Sequence, residues 1–491
     1  MRFSAIFAGM NASLLRSRIE RLPMLRALLP FVAGIVAAEY YLLPSAFVWA
    51  GFAVSGAIAI AGRSSLSAAA ALCCFGWGAA QWNAPAEDDV PRGVRTVFAL
   101  AAEGAGEGRI TAWRDDDGQW READVRVVLR GDSTLAPQPG ERYVVRTRLY
   151  GLRAGSSYGR LMRSRGFGGR IYLSERQVLW RRTPQPAGLH AAAAERMRRL
   201  GLTGRTHALC AAMAAGDRSG LTAPMRGLFA RSGASHLLAV SGLHAGIVFM
   251  LANLLLRWLV LLRRGHLLRN GLVVALVWFY AAVTGFSPSV VRAALMCSAL
   301  QFALASGSLY AGGNALAAAA FAMLAYRPAA LYDIGFQLSF LSVAAILAWG
   351  VPLCRRLRTG RRAIDVPVAA AVVSAVATVA TAPLAAHTFG TVSFAAVAVN
   401  AVAVPLATVV VGAGVLWLAV PLPWAAYVLR PAAEAAASAL LWIVERTAAL
   451  PWAAARWCPD AGTVAAIYLG FLIATLLAGC RERKKTVSLR P

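Results

Sequence analysis

Long apolar segments separated by short polar turns make up most of the chain. Three come first, at Pro23–Leu43, Ser45–Gly62 and Leu66–Trp82, and each approaches the ~20 residues that cross a hydrocarbon core. Nine more follow a polar stretch, at about 236–262, 270–285, 289–306, 312–326, 331–350, 364–386, 392–420, 424–450 and 463–480. The pattern predicts a polytopic α-helical membrane protein with about 12 spans.

Residues 85–190 have a different pattern, in which short β-prone runs replace the long apolar ones. The predicted strands are Arg109–Trp113, Arg121–Leu129, Glu141–Leu149, Arg170–Leu173 and Arg176–Arg181. The turn Asp115–Gly118 predicts a hairpin between the first two, and Ser156–Arg165 predicts a short helix after the third. Three strands, a helix and two strands is the order of an OB-fold barrel, a common platform for single-stranded nucleic acid. A β-domain without that specialisation is the alternative.

The patterns predict five parts. They are a three-span membrane segment at 1–84, a small extracytoplasmic OB-like domain at 85–190, amphipathic interfacial helices at 191–235, a polytopic membrane domain at 236–480 and a basic cytoplasmic tail at 481–491. Orientation follows from arginine in the short loops. It places both termini on the cytoplasmic side of the inner membrane and residues 85–190 outside.

Composition agrees with a membrane protein. Only 15% of the 491 residues are charged and 58% are hydrophobic, whereas soluble domains average about 25% charged residues. The net charge is +27, from 50 Lys and Arg against 23 Asp and Glu, and this excess requires either orientation signals or a polyanionic partner. The seven cysteines show no paired metal-ligand spacing, which argues against a zinc ribbon and a disulfide scaffold.

A basic groove is predicted at the end of the outer domain. Its candidate DNA contacts are Tyr158, Arg160, Arg163, Arg165 and Arg170. Guanidinium groups beside aromatic rings suit a single strand, because they hold phosphates while bases stack on the rings. A solvated charged face is the alternative.

The first polar island in the apolar half includes Gly216–Leu221 and Ser235–His244. On a helix, Ser241 and His244 share a face, so they suggest either a hydrolase pair or small polar residues that pack helices closely. His236 and His244 are eight residues apart, about 12 Å on a regular helix, which is too far for one shared metal ion. Polar side chains at the mouth of a span are expected to face a cavity or a neighbouring helix.

The second island is Gly285–Ala293. Ser287 is a natural helix cap and Pro288 fits the first helical turn, with Ser289 and Arg292 following. Free backbone N–H groups and a positive helix end could meet a phosphate there. An arginine that snorkels to the membrane interface is the alternative for Arg292.

In their order along the chain, these motifs resemble the ComEC family, the inner-membrane channel of natural DNA uptake. The matching segments are Tyr158–Gly166, Gly216–Leu221, Ser235–His244, Gly285–Ala293, Asn314–Leu316, Asp333–Phe340, Phe389–Gly390 and Asn400. Many members also carry a metallo-β-lactamase-like domain, and the six histidines of this chain include no His-x-His-x-Asp-His cluster. We therefore expect a short form without that metal chemistry.

The resemblance implies import of single-stranded DNA during natural transformation. The implied DNA path includes His236, Ser241, His244, Ser287, Ser289, Arg292, Asn314, Asp333, Gln337 and Asn400. Besides lipid, the implied partners are a membrane-tethered DNA receptor and a cytosolic helicase or single-strand-binding proteins. Both lysines, Lys484 and Lys485, lie at the C-terminal end, so no P-loop exists, and we expect no catalytic residues, metal or cofactor. The alternatives are an intramembrane serine hydrolase using Ser241 and His244, and a small-solute transporter.

Overall fold

A computed structural model describes residues 22–41, 43–62, 64–82, 90–104, 106–131, 140–152, 159, 162, 166–182, 188–238, 240–305, 311–420, 422–450 and 453–487. The chain divides into two compact units. The first combines 29–187 with 323–333, and the second combines 188–322 and 334–491 with the start of the chain up to Leu28. The β-rich insert belongs to the first unit, whereas both polar islands belong to the second.

The first three apolar segments form the helices that the sequence predicts. These are α1 (Pro23–Tyr40), α2 (Ser45–Gly62) and α3 (Ser65–Trp82). Glycines allow α1 and α3 to approach closely: a Cβ at Gly34 would lie 1.9 Å from the Cys73 carbonyl oxygen, and one at Gly76 would lie 2.1 Å from that of Phe31. Such small-residue contacts are typical of helices that pack within a membrane.

The insert folds into a closed barrel. Its strands are β1 (Arg95–Gly104), β2 (Glu107–Arg114), β3 (Trp120–Gly131), β4 (Arg142–Tyr150), β5 (Phe167–Leu173) and β6 (Val178–Arg182). The order β1-β2-β3-β5-β4 is closed by pairing of β1 with β4, and only the β3–β5 pair is parallel among these strands. β6 pairs with the first half of β4. The core comprises inward side chains such as Phe98, Ile110 and Val145, each 0% exposed.

The predicted hairpin is confirmed. The Asp115 N–H donates to the Gln119 carbonyl at 2.9 Å, and Gly118 adopts a positive φ of 79° in the turn. The predicted count of five strands is wrong, because β1 precedes them. Its outward positions are mostly small apolar residues, so the strand lacks the polar alternation that marks β4. Of the predicted helix Ser156–Arg165, only residues 159 and 162 are described, and both are helical.

The helices that follow the barrel are α4 (Leu189–Arg198), α5 (Gly204–Ala214), α6 (Ala223–Ser232), α7 (Gly242–Leu255), α8 (Gly265–Val283), α9 (Pro288–Ala305), α10 (Ala311–Tyr326), α11 (Ile334–Ala345), α12 (Val351–Arg356), α13 (Arg362–Phe389), α14 (Ala396–Ala419), α15 (Ala425–Ala448) and α16 (Ala461–Val487). A π-helical turn, Ile346–Gly350, joins α11 to α12. Short strands β7 (Thr391–Ser393) and β8 (Ala454–Arg456) pair antiparallel.

Seven helices in the described ranges are long and apolar enough to cross a membrane. They are α1, α2, α8, α13, α14, α15 and the continuous segment Ile334–Arg356, and three shorter apolar helices accompany them. The count of about 12 spans therefore stays a prediction. The single span expected at 236–262 is wrong, because α7 starts only after Ser241 and is 14 residues long, or about 21 Å. A second break at Leu256 leads into the 3₁₀ helix Arg257–Leu261.

One of the helices expected at the membrane interface is enclosed by protein. Every residue of α5 from Ala208 to Ala214 is buried, and the helix packs against α14 and α15. A Cβ at Gly414 of α14 would lie 2.4 Å from Ala214 Cβ, so this contact requires glycine. An interfacial position for α4 and α6 remains a prediction.

Helix α4 links the C-terminal ends of two other helices. The His190 imidazole Nδ1 lies 3.0 Å from the Val283 carbonyl oxygen at the end of α8. One turn and a half later, Arg196 donates from Nε to the Trp417 carbonyl at 2.8 Å and from Nη2 to the Val420 carbonyl at the end of α14. Strict alternation of spans would place these ends on opposite sides of the membrane. That alternation conflicts with these contacts, because a ten-residue helix is only about 15 Å long.

Candidate functional site at helices α7, α8 and α9

The two polar islands meet where α7, α8 and α9 pack against one another. Gly216, at a positive φ of 81°, brings the start of the first island against this group. A Cβ there would lie 3.3 Å from both the Thr284 carbonyl oxygen and Val240 Cγ2. The apolar part of the cluster consists of Val240, Ala245, Val248, Tyr280, Ala281, Val290 and Ala293. Segments that are distant in sequence thus form one site.

The side chain of His244 is fixed by the backbone at the start of α7. The Ser241 N–H donates to His244 Nδ1 at 3.2 Å, and His244 is 0% exposed. Because Nδ1 accepts this bond, we assign the imidazole proton to Nε2. Nε2 is buried and has no hydrogen-bond partner among the residues that the structure describes. The ring therefore presents an unused donor inside the cluster.

Ser241 and His244 do not form the bond of a nucleophile and its base. Ser241 Oγ is buried and, like His244 Nε2, has no partner in the described part of the chain. An activated serine would donate its hydroxyl to a nearby imidazole nitrogen, but the nitrogen nearest Ser241 is already used by its own backbone N–H. The arrangement is that of a helix cap with two open polar atoms.

His236 lies before this cap, in the 3₁₀ helix Ser235–Leu237, and is exposed. No regular helix connects His236 to His244. In the described ranges, no group of three His, Cys, Asp or Glu side chains could hold a metal ion.

The second island begins α9 at the predicted position, but Ser287 Oγ forms no capping bond among the described residues. The Ser287 carbonyl accepts from Val290 N–H at 2.9 Å and Val291 N–H at 3.0 Å, with Pro288 as the first helical residue. Ser287 Oγ is buried and lacks a partner within the described residues, and Ser289 is half-buried. The preceding Phe286 is 56% exposed and adopts a φ of 50°, a conformation that is uncommon outside glycine.

Arg292 lies one turn into α9 and is 7% exposed. Arg292 makes an interaction within the chain, and its Nε is buried. Ala293, next to it, lies 3.8 Å from the position that a Cβ on Gly242 would take, which places Arg292 beside the start of α7. Both interpretations of Arg292, a phosphate contact and an arginine that snorkels to the interface, stay predictions.

Tyr280 was missed by sequence reasoning. It lies in the last turn of α8, is 4% exposed, and its hydroxyl has no partner among the described residues. A buried tyrosine hydroxyl usually finds a partner, so this one resembles Ser241 Oγ, His244 Nε2 and Ser287 Oγ. The available signal was a phenol inside an apolar span.

The remaining predicted path residues lie on other elements of the fold. The Asn314 Oδ1 accepts from the Met24 N–H at 3.4 Å, tying α10 to α1. Asn400 on α14 is 8% exposed with no partner for Oδ1 in the described ranges, and Gln337 is half-buried on α11. Asp333 belongs to the other unit, at the end of the 3₁₀ helix Pro328–Tyr332.

Of the predicted outer-domain contacts, Tyr158, Arg160, Arg163 and Arg165 lie outside the described residues. Arg170 on β5 is described. Its Cζ lies 6.0 Å from the ring centre of Tyr150 and 5.7 Å from that of Tyr172. The predicted combination of arginine and aromatic rings is therefore present at this position.

A second cluster of polar side chains lies in the barrel. Glu141 is 1% exposed, accepts from the Tyr143 hydroxyl, and receives Arg181 Nη2 at 2.6 Å. Burial, and then the hydrogen bond to Glu141, raise the pKa of Tyr143 to about 12. The same carboxylate raises the pKa of Arg181 further above its usual value. Each of these groups has a partner, so this cluster is structural.

Comparison with known proteins identifies a matching family and two similar proteins. The family model described as "Competence protein" matches residues 213–481. ComE operon protein 3 of Bacillus subtilis is 33% identical over 144 residues, which are 28% of this chain and 17% of that protein. Competence protein ComA of Neisseria gonorrhoeae is 34% identical over 161 residues, 31% of this chain and 22% of that protein. The alignments thus cover about a fifth of these relatives.

No solved structure matches the chain. The family match contains the whole of the α7–α9 site and more than half of the sequence. Both polar islands, recognised above from their motifs, fall inside it or at its start. The chain therefore belongs to the competence protein family of the ComEC type.

Proposed function

We propose that this protein conducts single-stranded DNA across the cytoplasmic membrane during natural transformation. Membership of the competence family supports a role in DNA uptake, and seven helices of suitable length and hydropathy support a membrane location. One observation carries the proposal for a conduit: four buried polar atoms without partners among the described residues lie on three mutually packed apolar helices.

Such atoms are costly in a lipid-embedded bundle. An unsatisfied buried hydroxyl or imidazole costs about 1–3 kcal/mol, so chains rarely keep several together unless water or a polar cargo meets them. A strand of DNA offers phosphate, sugar and base atoms that can both donate and accept. The proposed path is lined by His236, Ser241, His244, Tyr280, Ser287, Ser289 and Arg292.

Phosphate groups would meet the start of α9. Helix N-termini favour anions, and the N–H groups of Val290 and Val291 already donate to the Ser287 carbonyl, so the Ser289 N–H and the positive end of the helix dipole would meet the phosphate. Arg292 adds a buried positive charge one turn further along. The protein would act passively, with the strand pulled by a cytosolic motor or by the membrane potential.

The outer barrel would receive the strand. Five strands closed in the order β1-β2-β3-β5-β4 support an OB-like barrel, although the helical residues 159 and 162 follow the fourth strand. We place this barrel outside the cell membrane, with both termini in the cytoplasm. A membrane-tethered receptor and a cytosolic helicase or single-strand-binding proteins would complete the machinery.

The test uses a naturally transformable host whose own gene is deleted and replaced by variants of this one. We expect Arg292→Ala to reduce delivery of labelled DNA to the cytosol at least tenfold, at unchanged protein level in the membrane. Arg231→Ala is the control, because Arg231 is exposed at the end of α6. Wild-type uptake with Arg292→Ala would remove Arg292 from the path.

Ser241→Ala separates the conduit from the hydrolase. Removing a hydroxyl that has no partner in the described ranges should lower uptake only a few-fold. Complete loss, accompanied by loss of a hydrolytic activity, would favour the enzyme. Unchanged uptake after deletion of the gene, with altered transport of a small solute, would reject DNA as the cargo.

A further inference from the structure

Two faces of the barrel use arginine in different ways. On the face formed by β2, β3 and the end of β1, guanidinium groups are paired with carboxylates. Arg109 contacts Glu103 at 2.6 Å and Asp124 at 2.5 Å. Arg126 contacts Glu103 at 3.4 Å and Glu107 at 3.2 Å. We call this the paired face, and its positive charge is largely neutralised.

The opposite face, on β1, β4 and β6, has arginines without acidic partners in the described part of the chain. We define the arginine face as Arg95, Arg142, Arg146, Arg148 and Arg182, all of them exposed. The register places Arg95 opposite Arg148 and Arg142 opposite Arg182. Like charges directly opposite each other destabilise a sheet, so this arrangement is unfavourable until an anion binds.

A shallow apolar floor lies between these arginines. The outward positions of β1 here are Val97, Ala99 and Ala101, which lie opposite Arg146, Val144 and Arg142 of β4. All three are half-buried. Because these side chains are short, the longer guanidinium groups stand above them as a rim. Along β4, Arg146 and Arg148 are about 7 Å apart, and Arg142 is about 14 Å from Arg146.

Aromatic rings lie beside the arginine face and at one of its ends. Trp180 lies opposite Val144, between Arg142 and Arg146, and is 50% exposed. At the end of β4, Tyr150 and Tyr172 are 38% and 42% exposed and meet edge to face, with ring centres 5.7 Å apart. Exposed rings beside a basic surface are the stacking platforms of single-strand binding proteins.

We propose that the arginine face, with Trp180 and Tyr172, binds single-stranded nucleic acid through its phosphates and stacked bases. This inference rests on the proposed function and names the surface that receives the strand. OB-folds commonly bind oligonucleotides on the face of strands 2 and 3, but here that face is the paired one. Glu175 lies in the 3₁₀ turn between β5 and β6 and is exposed.

A lipid surface is the other anion that arginine and tryptophan can contact. Interfacial binding requires apolar side chains that protrude into the headgroup region. The floor of Val97, Ala99 and Ala101 is recessed below its arginine rim, so this geometry favours a flexible polyanion that can lie along the strands. Stacking on Trp180 and Tyr172 requires unpaired bases, which favours a single strand over a duplex.

The test compares two triple variants of the full-length protein in phosphatidylcholine nanodiscs, with a fluorescent single-stranded oligonucleotide followed by anisotropy across a salt series. One variant is Arg142→Gln/Arg146→Gln/Arg148→Gln on the arginine face. The matched control is Arg109→Gln/Arg121→Gln/Arg126→Gln, which removes the same charge from arginines that already have carboxylate partners.

We expect the arginine-face variant to bind about 100-fold more weakly at 0.1 M salt, because three lost phosphate contacts reduce the salt slope by about 2. The control should bind within about threefold of wild type and keep its slope. Trp180→Leu should weaken binding about tenfold with an unchanged slope, since stacking is not ionic.

Equal losses in the two triple variants would overturn the proposal, because net charge alone would then explain binding. Wild-type binding by the arginine-face variant would also overturn it, even if uptake in cells still requires the protein. If phosphatidylglycerol nanodiscs abolish binding by wild type but leave the arginine-face variant unaffected, lipid headgroups occupy the face and the proposal is wrong. A wild-type uptake phenotype after gene deletion would instead refute the proposed function and leave the binding comparison standing.

Discussion

The barrel core and the α7–α9 cluster treat buried polar groups in opposite ways. In the barrel, Glu141 is matched by Tyr143 and Arg181, so each group has a partner within the chain. In the helical cluster, Tyr280 and His244 carry buried polar atoms that have none among the described residues. The first arrangement stabilises a fold, whereas the second leaves hydrogen-bonding capacity that, under the proposed function, the DNA strand would use.

The largest effect is expected from Arg181→Ala. It leaves the Glu141 carboxylate buried without its cation, and removing one partner of a buried pair costs about 3–5 kcal/mol. Because the Arg181 side chain is 44% exposed, water screens part of the interaction, and we expect a loss of about 2–3 kcal/mol. Hydrogen exchange of β4 and β6 amides in the full-length protein should accelerate about 50-fold.

Arg182→Ala is the control for that change, because Arg182 is adjacent, exposed and without an acidic partner in the described residues. It should leave exchange in β4 and β6 unchanged. Similar acceleration in both variants would mean that the Glu141 pair does not stabilise the barrel.

A matched pair of Tyr→Phe substitutions tests the comparison directly. Tyr143→Phe removes a hydroxyl that donates to Glu141, and we expect the barrel to lose about 1–2 kcal/mol. Tyr280→Phe removes a hydroxyl without a partner in the described ranges, and we expect α8 to change by less than about 0.5 kcal/mol while DNA uptake falls. Hydrogen exchange measures the first quantity and cytosolic delivery of labelled DNA the second.

The comparison would fail if the two variants behaved alike. A large loss of protection in α8 with Tyr280→Phe would show that its hydroxyl stabilises the bundle. Wild-type uptake by the same variant would remove Tyr280 from the path.

The smallest effect is expected from pH. The pKa of Tyr143 is raised to about 12 by burial and the hydrogen bond to Glu141, while an unfolded tyrosine ionises near 10. The neutral phenol therefore contributes its full stability below pH 10, and this contribution is lost as pH rises through 12. Exchange of barrel amides, corrected for the intrinsic rate, should increase over this window in wild type but less in Tyr143→Phe.

Much of the fold follows from the sequence. The helices α1, α2 and α3 lie within a residue or a few of their predicted bounds, because long apolar runs have few other solutions in a membrane. The hairpin at Asp115–Gly118 follows from its turn residues. Strand β1 does not, since Val97, Ala99 and Ala101 are apolar on the outward side and hide the period of two.

The site was predicted in part. Both islands could be found, because serine, histidine and arginine stand out within apolar runs. Tyr280 could not be recognised, since its hydroxyl becomes unusual only when α8 is buried against α7 and α9. The arginine face depends on the pairing of Arg95 with Arg148, and that register is set by barrel closure.

Helix α4 limits the distance between the C-terminal ends of α8 and α14. Its His190 lies at the end of α8 and its Arg196 at the end of α14, so these two ends are separated by no more than a short helix and two side chains. A hydrocarbon core is about 30 Å thick, twice the length of α4. The turns after α8 and α14 therefore lie at similar depth in the membrane. The α14–α15 hairpin begins at the depth of Ser287, at the start of α9, and extends away from it. Arg196 fixes the end of α14 against α4, because its guanidinium both stacks on Trp417 and binds the last carbonyls of α14.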